Sequence, residues 1–192
     1  MNIKRLIHVG LLLVLLIILV IIFFRKGGEE RIKPASSTTF PEQEPLSEEP
    51  EETTQITLFF PSEEDTLLHP EVRDIIASSS VGIQAKQVIE ELIKGSQNGY
   101  ISAVPPETKL RELFITEEGV AYVDFSREIQ EKHNSGSSAE ISTIFSIVNS
   151  LTYNFKSVKK VFILIDGGEK QTLGGHIDLS RPFLPQHDLI AN

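Results

Sequence analysis

The polar and apolar positions divide the chain into three regimes. Leu6 to Phe24 is almost wholly apolar, broken only by His8 and Gly10, and basic pairs bracket it at Lys4-Arg5 and Arg25-Lys26. As a helix it would extend roughly 28 Å, close to the hydrocarbon thickness of a bilayer. A cleaved signal peptide would have a shorter apolar region followed at once by small residues, whereas Phe23-Phe24-Arg25-Lys26 follows here. A lipoprotein signal needs a cysteine to acylate, and the chain has none. The pattern therefore predicts an uncleaved single-pass transmembrane anchor over residues 1–26. Lys and Arg lie on both sides of it, so charge alone does not fix its orientation.

Residues 27–55 carry eight glutamates and four prolines, with Ile32, Phe40 and Leu46 as the only large apolar side chains. Such a segment cannot bury enough surface to offset its ordering entropy, and its like charges keep it extended. It is predicted to be a disordered acidic linker that holds the folded part away from the membrane.

From Ile56 the pattern becomes that of a globular domain. Ile56, Leu58 and Phe60 alternate with Thr57 and Phe59 up to Pro61, which predicts a strand. Leu67-Leu68 and Val72–Ile75 suggest a second extended stretch. Ala85, Val88, Ile89, Leu92 and Ile93 fall on one helical stripe, with Gly95 and Gly99 beyond its end. Lys109–Thr116 and Val120–Phe125 read as a strand pair joined through Glu117-Glu118-Gly119, with Ala121, Val123 and Phe125 on one face. A polar loop is expected over Ser126–Gly136. Ser137-Ser138-Ala139-Glu140 has the spacing of a capping box and opens a second helix, with Ile141, Ile144, Phe145, Val148 and Leu151 as its buried stripe. Val158–Ile165 is apolar on both faces, which predicts a central strand. Asp166-Gly167-Gly168 is a turn signal, and Lys170–Leu173 is expected to return as a strand. The fold class read from these elements is α/β (α+β): a single domain over residues 56–185, two helices packed on one small mixed sheet, with a tail over 186–192.

Charge and composition narrow the function. From Ile56 onward, 12 Lys/Arg face 19 Asp/Glu, which argues against a nucleic-acid binder and against a domain lying flat on anionic lipid. The absence of cysteine removes thiol nucleophiles, thiolate metal sites and disulfides. The motifs of nucleophile elbows, zinc proteases and phosphate-binding loops are missing. Glu90-Glu91 and Glu117-Glu118 are adjacent pairs whose side chains diverge, so they read as solvated surface rather than as acid/base dyads. In an extended Gly175–Leu179, His176 and Asp178 would share a face and could begin a metal site. A third ligand is not evident, because His69, His133 and His187 are scattered. The plainer reading is that Gly174-Gly175 supplies a special backbone shape and that His176 ties down the neighbouring loop. Asp124 reads as a polar strand-end residue. No catalytic, cofactor-binding or metal residue is therefore assigned.

The C-terminal third carries a family pattern. It comprises Ser146–Leu151, then Val158–Gly167, then Thr172-Leu173-Gly174-Gly175-His176-Ile177-Asp178-Leu179-Ser180-Arg181-Pro182-Phe183. With Ile56–Phe60 and Val120–Ser126 upstream, it resembles the GerMN domain of sporulation and spore germination proteins, over roughly Gln55 to Pro185. The resemblance implies a fold related to ring-building motifs, with no catalytic residues and no cofactor. It implies an extracytoplasmic domain held at the bacterial cytoplasmic membrane, and so fixes the orientation of the anchor. The expected function is a non-enzymatic protein-interaction or assembly module of the cell envelope. Its partners would be other envelope proteins, a second copy of the chain among the candidates, and no nucleic acid. The competing reading is a protein that binds or hydrolyses an envelope polymer such as peptidoglycan. Convergence of His176, Asp178 and Asp124 on one cleft would favour that reading.

Overall fold

The structure, a computed structural model, describes residues 52–134 and 136–191. The predicted anchor, and the linker up to residue 51, lie outside the described residues. Among the described residues no helix is long and apolar enough to cross a membrane.

The element order is β1 (Thr53–Pro61), β2 (Leu68–Ile76), α1 (Val81–Ile93), β3 (Leu110–Ile115), β4 (Val120–Phe125), α2 (Glu128–Glu131), α3 (Ser137–Asn154), β5 (Lys160–Ile165) and a closing 3-10 turn, His187–Leu189. The first strand starts before the expected boundary. Thr53, Thr54 and Gln55 already pair with Ile76, Ile75 and Asp74, and Ala77 N–H donates to the Glu52 carbonyl at 2.8 Å. Threonines favour a pleated strand, and this outweighs the linker-like composition around them.

The strands form two sheets rather than one. β1 and β2 pair antiparallel; β3, β4 and β5 form the second sheet, antiparallel and then parallel. The free edge of β1 is closed by side chains instead of a strand. Asn154 of α3 accepts from Thr57 N–H (2.9 Å) and donates to Thr57 O (2.7 Å), and Ser150 Oγ accepts from Phe59 N–H (3.1 Å). A helix that satisfies edge amides in this way leaves no place for a neighbouring strand.

β4 is central in its sheet, and β5, predicted to be central, is an edge strand. Its apolar character on both faces has another cause. The closing segment lies along it, with Val161 N–H to Phe183 O at 2.9 Å and Phe183 N–H to Val161 O at 2.8 Å. Phe183 then meets Phe145 of α3 edge to face. The turn after β5 has φ of 54° at Asp166 and 76° at Gly167, the left-handed pair that an Asp-Gly hairpin turn demands. The expected return strand does not form, however. Over Lys170–Leu173 the pairing is reduced to an isolated bridge, Thr172 with Asp178.

One apolar core joins these pieces. Ala85, Val88, Ile89 and Leu92 of α1 meet Ile144, Ile147, Val148 and Leu151 of α3 and the inner residues of both sheets. Ile141 and Phe145, assigned to the buried stripe of α3, are partly exposed, and Ile147 takes their place. The loop expected over 126–136 contains the one-turn helix α2, whose Ile129 plugs into the core. The expected tail over 186–192 is docked through residues 186 and 190. Asn149 holds the backbone of Gln186 through two bonds of 3.0 Å, and Ile190 bridges to Leu68.

Candidate functional site

The most distinctive polar arrangement lies where the closing segment crosses α3. Glu140 is in the first turn of that helix and its side chain is sealed from solvent. It does not complete a capping box. The helix is preceded by Gly136, and no side chain caps it. The carboxylate instead turns to residues 174–177. Oε1 accepts from the His176 N–H at 3.0 Å and lies 2.6 Å from His176 Nδ1, while Oε2 accepts from the Ile177 N–H at 3.0 Å. An ionised carboxylate can only accept, so the facing His176 nitrogen carries the proton. Burial raises the pKa of Glu140, but the His176 ring and the N–H groups of Ile177, Gly174 and His176 outweigh it, and the net shift is downward.

The glycines before His176 make the clasp possible. Gly175 has φ of 106°, and a Cβ on Gly174 would stand 3.0 Å from Glu140 Oε1. The turned backbone directs its N–H groups inward, an anion-holding loop already occupied by the protein's own carboxylate. The expectation that His176 ties down a neighbouring loop is met in this form.

His176, Asp178 and Asp124 are not brought together on the cleft described below. Asp178 caps the Ser180 N–H at 2.9 Å from an exposed position, and these contacts lower its pKa. Asp124 accepts from Arg111 Nε (2.9 Å) and from the Gly167 N–H (2.8 Å), so it fastens the Asp166-Gly167 turn to β4. Among the described residues no three His, Asp or Glu side chains gather as metal ligands. His69 pairs with Asp65 and stacks on Tyr100, and His133 bonds Thr143.

A second buried cluster was not anticipated. The Arg73 guanidinium donates to Glu71 Oε1 (2.8 Å from Nε), to Glu91 Oε2 (3.0 Å) and to the carbonyls of Glu91 and Gly95. It lies 5.5 Å from the centre of the Phe60 ring. Glu71 also accepts from Ser96 Oγ at 2.6 Å and from the N–H groups of Gln97 and Asn98. Burial raises the Glu71 pKa, and the Ser96, Arg73 and Gln97 donors more than reverse it. Glu91, read as solvated, is thus a partner of a buried arginine. The sequence held a signal for this: Glu71, Arg73 and Ile75 alternate on one face of a strand whose Ile75 is core.

A cleft of about 810 Å³ opens beside these elements. Pro61, Ile101, Val104, Pro105 and Ile141 contribute apolar surface, and Asp65, Glu107, Lys132 and Ser138 contribute polar groups. None of the residues proposed from sequence as chemistry-bearing lines it, apart from the scattered His133. Elsewhere, Phe114, Tyr122 and Phe162 form a row across the outer face of the second sheet, with ring centres 4.8 and 5.4 Å apart. Phe114 is half exposed.

Solved structures share this architecture. The chain is similar to a Clostridium perfringens protein assigned as a lipoprotein, with 27% identity, a TM-score of 0.51, and coverage of 73% of this chain and 94% of that one. It is similar to the tandem GerMN domains of the Bacillus subtilis sporulation protein GerM, with 24% identity, a TM-score of 0.58, and coverage of 71% of this chain and 48% of that one. Against the first GerMN domain of that protein alone, the identity is 23%, the TM-score 0.54, and the coverage 71% of this chain and all of the other. These place the fold in the class of GerMN domains. The sequence profile described as sporulation and spore germination matches residues 57–171, and the chain belongs to that family. A comparison with curated proteins finds no match.

Proposed function

We propose that the protein is a non-enzymatic assembly module of the bacterial cell envelope, tethered by residues 1–26 with its C-terminal domain outside the cytoplasm. Family membership carries this reading. Two features support it. The His176 ring nitrogen Nδ1 and the N–H groups of His176 and Ile177 are engaged inward on Glu140, where they hold the fold rather than face a substrate. The similar Clostridium perfringens chain is assigned as a lipoprotein, which fits an envelope location here. Residues 27–51 serve as a spacer, and the partners are other envelope proteins. Protease added to spheroplasts that carry the full chain should remove everything from about residue 30 onward. Complete protection until lysis would reverse the topology.

One observation favours a second reading, binding of an envelope polymer. The 810 Å³ cleft combines apolar walls with a polar rim, as ligand sites do. Saturable co-sedimentation of the full chain with purified sacculi, weakened by Ile101→Asp, would support the polymer reading. No co-sedimentation, together with cross-linking to membrane proteins in intact cells, supports the assembly reading.

A further inference from the structure

The loop that wraps Glu71 contains the sole Asn-Gly sequence of the chain, Asn98-Gly99. Both residues are exposed, and Gly99 has φ of 86°. A Cβ at Gly99 would meet no atom within 4 Å, so the surroundings are open. The Gly99 N–H makes no hydrogen bond among the described residues. These are the conditions under which a backbone amide nitrogen can reach the carbonyl carbon of the preceding asparagine side chain. Glycine imposes no steric barrier there, and asparagine is among the chemically labile side chains.

We propose that Asn98-Gly99 is a site of spontaneous deamidation whose product loosens the loop holding the Glu71–Arg73 cluster. The Gly99 nitrogen bonds to Asn98 Cγ, the Cγ–Nδ2 bond breaks, and Nδ2 leaves as ammonia with the proton given up by Gly99. The product is a five-membered imide. Water then opens it at one carbonyl or the other, giving aspartate or isoaspartate at position 98. In isoaspartate the main chain runs through the former side chain and is one methylene longer. The freed carboxylate appears next to the Asn98 N–H, which donates to Glu71 Oε2 at 3.2 Å. Lengthening also displaces Tyr100, whose N–H is bonded to Ser96 Oγ and whose ring stacks on His69. Both changes oppose the buried carboxylate of Glu71.

The molecule contains its own control. Asp166-Gly167 has a sequence equally suited to imide formation, and its residues also take left-handed angles. There the attacking nitrogen is already engaged, because the Gly167 N–H donates to Asp124 Oδ1 at 2.8 Å. Asp166 should therefore stay intact in the folded protein.

The test is incubation of the full chain in detergent at mildly alkaline pH and body temperature. Peptide masses and enzymatic methylation of isoaspartate are read over time. The Asn98 peptide should gain isoaspartate several-fold faster than the peptides of Asn134, Asn149, Asn154 or Asp166. Asn98→Gln should remove the signal while keeping the fold. The aged fraction should melt at a lower temperature than fresh protein, and aged Asn98→Gln should not. If Asn98 stays intact in the folded chain while it converts in urea, the site assignment fails. If the converted protein melts unchanged, the coupling to the buried cluster fails.

Discussion

A carboxylate sealed from water is costly unless its oxygens find donors, and Glu140 finds them in the N–H groups of His176 and Ile177 and in the His176 ring. Glu140→Ala should therefore destabilise by about 1–3 kcal/mol, measured by urea unfolding, because it strands the backbone donors it leaves behind. Ser137→Ala should have little effect, since Ser137 caps nothing. The pH dependence follows from the direction of the shifts. Glu140, Glu71 and Glu91 all have pKa values lowered in the folded state. Their stabilisation is complete above the ordinary glutamate value of about 4.3 and is lost as pH falls through the lower folded values. The thermal midpoint should drop in that acid range, and Glu140→Gln should flatten part of the drop. An unchanged acid profile would remove Glu140 from the clasp. Gly175→Val should cost about 1–3 kcal/mol, as a β-branched residue resists φ of 106°. His176→Gln should cost less, because the N–H bonds to Glu140 remain. The structural role of Gly174-Gly175-His176 was legible in the sequence from the glycine pair. The partner was not, because the spacing of Ser137 and Glu140 has an equally good local explanation in a capping box, and only the tertiary fold brings residue 176 to residue 140.

Among the elements, α3 does most to hold the domain together. One flank contributes Ile144, Ile147, Val148 and Leu151 to the core, and another presents Ser150 and Asn154 to the edge of β1. Ile144→Asp should be severely destabilising, because it places a charge at a fully buried position. Asn154→Ala should cost about 1–3 kcal/mol and raise aggregation on light scattering, since it leaves the Thr57 amide and carbonyl without partners at an open edge. Unaltered stability and solubility would show that the edge needs no cover. Both long helices could be read from an amphipathic period over several residues, and the strands from alternation or, in β5, from an unbroken apolar run. Sheet membership could not. The two-faced apolar run of β5 looks the same whether its neighbour is a strand or the closing segment around Phe183. The one-turn helix α2 is also hidden, because a single Ile129 is too short a pattern to set a period.

For the whole molecule, the boundary at Glu52 can be tested directly. A chain begun at Glu52 should unfold cooperatively in urea, while one begun at Gln55 should be less stable, since it lacks Thr53 and Thr54 opposite Ile76 and Ile75. Equal midpoints would return the boundary to where composition placed it. The acidic, proline-rich run is visible in the sequence, but its end is blurred because two threonines suit a linker and a strand equally well. The closure of β1 by α3 also bears on how the protein is made. Thr57 waits for Asn154, 97 residues later, and Phe59 waits for Ser150, 91 residues later. Synthesis delivers the strand first and its cover much later, so an emerging chain carries an uncovered β edge through most of its elongation. Such long-range closure slows folding relative to local contacts. During synthesis this domain is therefore a natural client for a holding chaperone until residue 154 has arrived.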